Sequence, residues 1–105
     1  MRILFDVNVP AQLALSNHEI VRAGEMGWAD LQNGVVLRAA EDAGFDLLLT
    51  CDRNIRFQQN LHNRTISVLI VSTNHWPTIR VKTLRITAAL EFIQRCQVVE
   101  VDMAD

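Results

Sequence analysis

The sequence predicts a single α/β domain built around a mostly parallel sheet. Apolar runs of strand length alternate along the chain with segments of helical periodicity, and three of these runs are almost unbroken in Leu, Ile and Val. Such runs are typical of strands that helices cover on both faces. A chain of 105 residues is long enough for one hydrophobic core and too short for two. We therefore expect residues 1–105 to form one three-layer α/β/α domain with about five strands.

Five apolar runs are predicted to form the strands: residues 2–6, 18–21, 45–50, 66–72 and 97–101. The connection between the first two spans only residues 8–18, whereas a crossover between parallel strands needs about a dozen residues or more. We therefore expect this connection to contain at most a very short or irregular helix.

Two segments have the spacing of amphipathic helices. Residues 31–44 end at Gly44, a residue typical of helix C-termini, and residues 78–95 follow Pro77, which favours a helix start. The second segment is predicted to be the longest helix. Residues 53–64 are polar and weakly periodic, which indicates a short surface helix or a turn.

Composition and charge limit the classes of protein to which the chain could belong. Hydrophobic residues make up 50% of the sequence, and no apolar run approaches the length of about 18 residues that a membrane span needs. Residues 1–5 do not resemble a secretory signal, so we expect a cytoplasmic protein with no membrane contact. The net charge of −2 argues against a protein that binds nucleic acid mainly by neutralising many phosphates. Any contact with nucleic acid is therefore expected to be local.

The two cysteines, Cys51 and Cys96, are far apart in sequence and lack the spacing of metal ligands or of a redox pair. We expect both to be reduced thiols in or near the core.

The first and third predicted strands both run out into acidic and amide residues. Asp6 and Asn8 come at the end of the first strand, and Thr50, Asp52 and Asn54 come at the end of the third. Ligands of open parallel sheets bind at the carboxyl ends of the strands, so Asp6 and Asp52 are expected to converge if these strands are neighbours. Carboxylates with flanking amide and hydroxyl oxygens are hard ligands that suit Mg²⁺ or Mn²⁺.

A simpler interpretation of the same residues remains open. Asp and Asn favour turns and helix N-caps, so these side chains could merely end the strands and cap the next segment of the chain. On either interpretation Pro10 supports a turn directly after Asp6 and Asn8, because proline cannot extend a central strand.

Three segments together resemble a known family. The sequences "ILFDVNVP", "EMGWAD" and "VLRAAEDAGFDLLLTCDRN" are similar in order and spacing to the small PIN-like domains, relatives of the PIN nuclease fold that frequently occur as the toxin of bacterial toxin–antitoxin pairs. The resemblance covers residues 1 to about 75 and implies a three-layer PIN-like domain that cleaves RNA phosphodiesters with a divalent metal. Asp6 matches the acid after the first strand, and Asp52 matches the acid of the T-x-D element.

The chain departs from the family pattern at two positions. Asn33 stands where relatives often carry an acid near the start of the helix, and Asn54 stands where a further acid can follow Asp52. Fewer anionic ligands imply weaker binding of Mg²⁺ or Mn²⁺. Asp30, at the expected entrance of the helix, is the better candidate to replace the missing acid, and it could equally be the helix N-cap.

Arg53 and Arg56 are candidates for phosphate binding beside the metal. They are three residues apart, with Gln59 and Asn60 next on the same face if the segment is helical. The planar arginine side chain suits bidentate contacts with phosphate. The alternative is an ordinary solvated polar face.

Two functions are consistent with these observations. The first is a metal-dependent ribonuclease of PIN-like type in which Asp6 and Asp52 hold the metal. Its supporting residues are Asn8, Asp30, Asn33, Thr50 and Asn54. The second is a catalytically degenerate PIN-like module that acts through a protein partner or holds RNA without cleaving it. An antitoxin protein is the expected partner, and the apolar helix around residues 83–94 favours a homo-oligomer or a hetero-complex.

A phosphoacceptor receiver domain, which also carries acids after its first and third strands, fits less well. Receivers need two adjacent acids after the first strand and a lysine near the last strand. Here Asp6 stands alone, and Lys82, the one lysine of the sequence, lies within a predicted helix.

Overall fold

The computed structural model describes residues 1–57 and 64–105. Its strands are β1 (Arg2–Phe5), β2 (Glu19–Arg22), β3 (Leu47–Thr50), β4 (Ser67–Val71) and β5 (Val98–Val101). Its α-helices are α1 (Asn33–Asp42), α2 (Trp76–Arg80) and α3 (Thr83–Phe92), and short 3-10 helices lie at Ala23–Met26 and Arg53–Phe57. None of the helices in these two ranges has the length and apolar character needed to cross a lipid bilayer.

The five strands form one parallel sheet in the order β2-β1-β3-β4-β5. Strand β1 pairs with β2 on one side and with β3 on the other, so Phe5 lies between Arg22 and Leu49. The central strands β3 and β4 are buried along their whole length, which explains their unbroken apolar sequences. The predicted α/β class, the five-stranded parallel sheet and the adjacency of the first and third strands are confirmed.

Alternate residues of each strand enter two separate hydrophobic clusters, one on each face of the sheet. Ile3 and Phe5 pack in the first cluster with buried residues of α2 and α3, such as Ile86. Leu4 packs in the second cluster with residues of α1, such as Leu37. The side chains of a strand point alternately to its two faces, so each short strand is fixed in place from both sides.

The connection between β1 and β2 is irregular, as predicted. Residues 6–18 contain turns and no helix, yet Leu13 and Leu15 are buried in the first cluster. Arg22 stabilises the segment by donating hydrogen bonds through Nη2 to the carbonyl oxygens of Ala11 and Leu13, at 3.0 and 3.2 Å. An irregular segment therefore supplies the apolar cover that a crossover helix usually gives.

The prediction of one long helix over residues 78–95 is wrong. A turn at Val81 and Lys82 separates α2 from α3, and α3 is ten residues long, no longer than α1. The turn is closed by the backbone N–H of Lys82, which donates to the carbonyl oxygen of Ile79 at 2.8 Å. Val81, within the break, and Thr83, directly after it, are β-branched residues with weak helix propensity. Lys82 therefore lies between two helices and not within one.

The prediction for the cysteines is half right. Cys51 is half-buried directly after β3, and both cysteines are free thiols. Cys96 is exposed, because it lies in the tight turn between α3 and β5, where its backbone is left-handed with a φ of 62°. It is therefore not part of the core.

Candidate functional site

The strand order places the topological switch point of the sheet between the carboxyl ends of β1 and β3, and we refer to the polar residues there as the crevice. The chain passes from β1 to β2 on one side and later enters β3 on the other side of β1. Connections that leave two neighbouring strands in opposite directions separate above the sheet edge, and ligands of open α/β sheets bind at such a switch point. Asp6 directly follows β1, and Thr50 ends β3. The predicted site residues thus lie where this type of sheet binds its ligands.

Asp6 is held in the crevice by hydrogen bonds to both of its carboxylate oxygens. The Thr50 hydroxyl donates to Oδ2 at 2.8 Å, and the backbone N–H of Val7 donates to Oδ1 at 2.8 Å. Asp6 is only 6% exposed, and Thr50 is fully buried. The backbone N–H of Asp6 also donates to the carbonyl oxygen of Leu49 at 2.9 Å, which extends the pairing of β1 with β3 by one residue.

Asn8 ties the turn after β1 to the end of β3. Its Oδ1 accepts a hydrogen bond from the backbone N–H of Cys51 at 2.9 Å. The turn itself is closed by the backbone N–H of Val9, which donates to the carbonyl oxygen of Asp6 at 3.1 Å, and Pro10 follows at once. The stretch from Asp6 to Pro10 therefore ends β1 and delivers a carboxylate and an amide to β3.

Asp52 is linked to the same threonine hydroxyl. Its backbone N–H donates to Thr50 Oγ1 at 3.1 Å, and its Oδ1 accepts the backbone N–H of Asn54 at 2.9 Å. Asp52 is half-buried and has further contacts, whereas Asn54 is exposed. One hydroxyl thus connects the carboxylate of Asp6 with the backbone of Asp52.

The charge of Asp6 has no cationic partner in the described parts of the chain: none of their ion pairs includes it. Burial, and after it the nearby charge of Asp6, raises the pKa of Cys51 to about 12. Cys51 therefore remains a neutral thiol and does not act as a nucleophile. Buried carboxylates are normally paired with a cation or coordinate a metal, so the crevice is an incompletely compensated negative site.

Arg53 and Arg56 both form ion pairs with Glu100 of β5, so the two guanidinium groups lie close enough to share one anion. Arg53 Nη2 lies 3.2 Å from Glu100 Oε2, and Arg56 Nη1 lies 2.9 Å from Glu100 Oε1. Both arginines lie on the 3-10 helix that follows β3. Gln59 and Asn60, predicted on the same face, lie outside the described residues.

Sequence reasoning missed Glu100. Residues 97–101 form an apolar run that predicts a strand, and Glu100 is the one acid within it. A charged side chain in a buried strand is normally paired with an opposite charge, which indicated that Glu100 has a cationic partner. The partner could not be identified, because the sequence does not state which segment crosses the end of β5.

The two predicted residues at the entrance of α1 lie at the same edge of the sheet as Asp6. Helix α1 leads from the carboxyl end of β2 back to the amino end of β3, so its first residue, Asn33, starts at the carboxyl edge. The N-cap of α1 is Gln32, so the alternative role of Asp30 as N-cap is wrong. Asp30 is exposed in the turn that precedes the helix.

A cavity of about 530 Å³ lies at the opposite edge of the sheet, next to the amino ends of the strands. Its acidic residues already have partners: Asp46 Oδ2 accepts the backbone N–H of Arg2 at 2.8 Å, and Glu41 accepts the Thr65 hydroxyl at 3.0 Å. The hydrogen bonds to Thr65 and Arg64 hold the pKa of Glu41 below its usual value against the opposing effect of burial, the largest single influence. These acids are therefore structural, and the cavity is not the predicted site.

The oxygen donors of the crevice fit a hydrated Mg²⁺ or Mn²⁺. Each carboxylate oxygen of Asp6 accepts one hydrogen bond, which leaves a second lone pair on each. Within residues 1–57 and 64–105, no three His, Cys, Asp or Glu side chains form a metal-binding group. Mg²⁺ keeps several waters and often takes only one or two carboxylates from the protein. The free lone pairs of Asp6 are therefore compatible with a weakly held, hydrated ion.

The fold and the crevice define a small α/β protein with a parallel five-stranded sheet and a polar cluster at its switch point. No family model matches the chain, and neither a curated protein nor a solved structure matches it. A function for the crevice therefore has to be argued from its own residues.

Proposed function

We propose that the chain is a metal-dependent ribonuclease of PIN-like type, with the three-layer arrangement of that family. The observation that carries the proposal is the carboxylate of Asp6, which is 6% exposed at the switch point of a parallel sheet. In the described parts of the chain no cationic side chain forms an ion pair with it. A buried anion of this kind is stabilised by a bound cation. The resemblance to PIN-like domains supplies the reaction class.

In this proposal Asp6 and Asp52 hold Mg²⁺ or Mn²⁺. A bound divalent cation lowers the pKa of a coordinated water and stabilises negative charge on a phosphate. Thr50 keeps the Asp6 carboxylate oriented through its hydrogen bond to Oδ2, and Asn8 holds the turn after β1 against β3. The backbone of Asn54 orients Asp52 in the same way.

RNA would approach the crevice from two sides. Asp30 and Asn33 lie at the entrance of α1 and are proposed to position water or the RNA chain. Arg53 and Arg56 lie on the other side and are proposed to bind a backbone phosphate. Their guanidinium groups both come within 3.2 Å of one carboxylate, which supports their acting together on one anion.

The proposed setting is the toxin of a toxin–antitoxin pair in the cytoplasm, with an antitoxin protein as partner. An exposed apolar surface supports a partner: Leu84 and Phe92 of α3 are 80% and 79% exposed, and Val81, just before α3, is 70% exposed. Large side chains this exposed mark protein interfaces when they lie together. Either an antitoxin or a second copy of the chain is proposed to cover them.

A second candidate is a PIN-like module that binds RNA or a protein partner without cleaving RNA. It is favoured by the small number of acids among the predicted site residues, since Asn33 and Asn54 stand at positions where carboxylates are expected. Asp6 and Asp52 each accept a backbone N–H of a neighbouring residue, which a purely structural role also explains.

Calorimetric titration with Mn²⁺ separates the two candidates. The wild type should show saturable binding, and Asp6→Asn should show none. Asp42→Asn is the matched control, because Asp42 is an exposed aspartate at the far end of α1 and its removal changes the net charge equally. The control should bind Mn²⁺ like the wild type. A wild type that binds no Mn²⁺ would leave only the second candidate.

A further inference from the structure

Arg53 and Arg56 approach the two oxygens of a single carboxylate. Arg53 Nη2 lies 3.2 Å from Glu100 Oε2, and Arg56 Nη1 lies 2.9 Å from Glu100 Oε1. Arginine side chains that share one planar anion in this way have the geometry with which they also bind a phosphate group. The carboxylate of Glu100 therefore engages the guanidinium groups that an anionic ligand of this pair would use.

We propose that Glu100 is an internal competitor that sets the affinity of the arginine pair for nucleic-acid phosphate. Glu100 holds Arg53 and Arg56 when no ligand is bound, and a backbone phosphate of single-stranded RNA replaces it in the complex. Glu100 thus determines affinity without contacting the RNA. The choice of RNA as ligand rests on the proposed function, whereas the competition between Glu100 and a phosphate does not.

The three side chains differ in how readily they can move. Glu100 is fixed in β5, where it pairs with Ile70 of β4, and its side chain is only 21% exposed. The side chains of Arg53 and Arg56 are 54% and 42% exposed, and Arg56 has a further contact besides Glu100. Within the described part of the chain, Glu100 Oε1 has no hydrogen bond of acceptable geometry, although Arg56 lies close to it. A partly exposed ion pair with poor alignment is weak enough for a ligand to replace it.

A cavity beside Arg53 offers space for the phosphate. It has a volume of about 320 Å³ and lies between the carboxyl ends of β4 and β5. The hydroxyl-bearing residues that line it with Arg53 are Ser72, Thr73 and Thr78. Asp102 also lines the cavity, and its Oδ1 accepts the backbone N–H of Ala104. A guanidinium group that turns away from Glu100 therefore finds hydroxyl groups next to it, each already in a hydrogen bond within the protein, together with the Asp102 carboxylate.

The variant Glu100→Gln removes the competing charge and keeps the size of the side chain. The apparent affinity for RNA is proportional to the fraction of protein molecules in which the guanidinium groups of Arg53 and Arg56 are available to a phosphate. Glu100→Gln should raise this fraction. We expect this variant to bind single-stranded RNA about 2- to 5-fold more tightly than the wild type, as loss of a weak ion pair predicts. The slope of log affinity against log salt should stay close to that of the wild type, because the same phosphate contact forms in both complexes.

The measurement is the fluorescence anisotropy of a labelled single-stranded RNA oligonucleotide, titrated at several salt concentrations in the presence of a chelator. Glu91→Gln is the matched control, because Glu91 is an exposed glutamate on α3 and its removal makes the same change in net charge. The control should bind RNA like the wild type. The gain of Glu100→Gln should disappear in the double variant Glu100→Gln/Arg53→Gln. Inorganic phosphate should compete with RNA at lower concentration in Glu100→Gln than in the wild type.

Equal gains in Glu100→Gln and Glu91→Gln would show that net charge alone acts, and would overturn the proposal. A gain that survives the loss of Arg53 would overturn it as well. If Glu100→Gln does not fold, Glu100→Asp is the second variant, because its side chain keeps the charge but is one methylene shorter and should hold the two arginines less closely. Affinity of that variant equal to wild type would count against competition. The chelator makes this RNA-binding experiment independent of any bound metal. If the wild type fails to bind Mn²⁺, metal-dependent cleavage is excluded, but the result for Glu100→Gln is unaffected.

Discussion

Thr50 is the residue on which the geometry of the crevice depends most. Its fully buried hydroxyl donates to Asp6 Oδ2 at 2.8 Å and accepts the backbone N–H of Asp52 at 3.1 Å. Valine has nearly the same shape but no hydroxyl, so it would leave both groups without this partner. The free-energy cost of leaving a buried polar group without a partner is larger than the net free energy that its hydrogen bond contributes.

Thr50→Val is therefore expected to reduce the free energy of unfolding by about 1 to 3 kcal/mol. Urea unfolding followed by circular dichroism measures this change. Thr87→Val is the matched control, because the Thr87 hydroxyl donates only to the Leu84 carbonyl oxygen at an exposed position of α3, at 3.1 Å. Its effect should stay within about 0.5 kcal/mol. Equal effects of the two variants would contradict the role given to Thr50.

The two thiols are expected to differ strongly in reactivity. Burial and the charge of Asp6 raise the pKa of Cys51 to about 12, so at pH 8 Cys51 is almost entirely protonated and reacts slowly with iodoacetamide. Cys96 is exposed and should be labelled first. Asp6→Asn removes one cause of the raised pKa, so Cys51 should react faster in that variant. Mass spectrometry of labelled peptides from pH 7 to 10 measures both rates, and labelling of Cys51 as fast as Cys96 would contradict this account.

For single residues, the sequence predicted that Asp6 and Thr50 meet at one edge of the sheet, but it did not predict the partner of Arg53 and Arg56. Asp6 and Thr50 could be placed together because polar residues that end neighbouring parallel strands must meet at one edge. The ion pairs of Arg53 and Arg56 with Glu100 could not be predicted. These ion pairs form because the 3-10 helix after β3 extends to the end of β5, which lies two strands away in the sheet. No local sequence pattern predicts a contact between these two segments.

At the scale of the elements, hydrophobic periodicity identified the strands and α1 but not the division of the second helical segment. The break at Val81 and Lys82 contains neither glycine nor proline, so the sequence offers no strong stop signal there. Helix α3 places Ile86 and Leu90 in the core and leaves Leu84 and Phe92 on its outer face. Its outer face is therefore more apolar than that of an ordinary surface helix.

The outer face of α3 is expected to mediate association. Size-exclusion chromatography with light scattering should show the wild type forming an oligomer at high concentration or retaining a protein partner. Leu84→Glu should abolish association, because it places a charge among apolar side chains that are removed from water on binding. Val35→Glu is the matched control, since Val35 is 52% exposed on α1. A clean wild-type monomer with no retained partner would contradict this expectation.

At the scale of the whole molecule, the order of the strands decides where a ligand can bind. The order β2-β1-β3-β4-β5 places the switch point between β1 and β3 and so brings Asp6, Asn8 and Thr50 together. The sequence predicted the class of fold from the alternation of strands and helices, but such alternation is compatible with several strand orders. The order therefore had to come from the structure. The PIN-like character of the arrangement remains a proposal.

Thermal unfolding of the wild type and Asp6→Asn, each with chelator and with millimolar Mn²⁺, decides most directly whether Asp6 holds a metal ion. If the crevice holds a metal, Mn²⁺ at ten times its Kd should stabilise the wild type by about 1.4 kcal/mol, which raises the melting temperature by roughly 5 to 10 °C. Asp6→Asn should melt slightly above the wild type in chelator, because a buried charge without a cationic partner among the described residues is removed, and Mn²⁺ should not shift it. A wild-type melting temperature that Mn²⁺ leaves unchanged would contradict the metal site and, with it, metal-dependent cleavage.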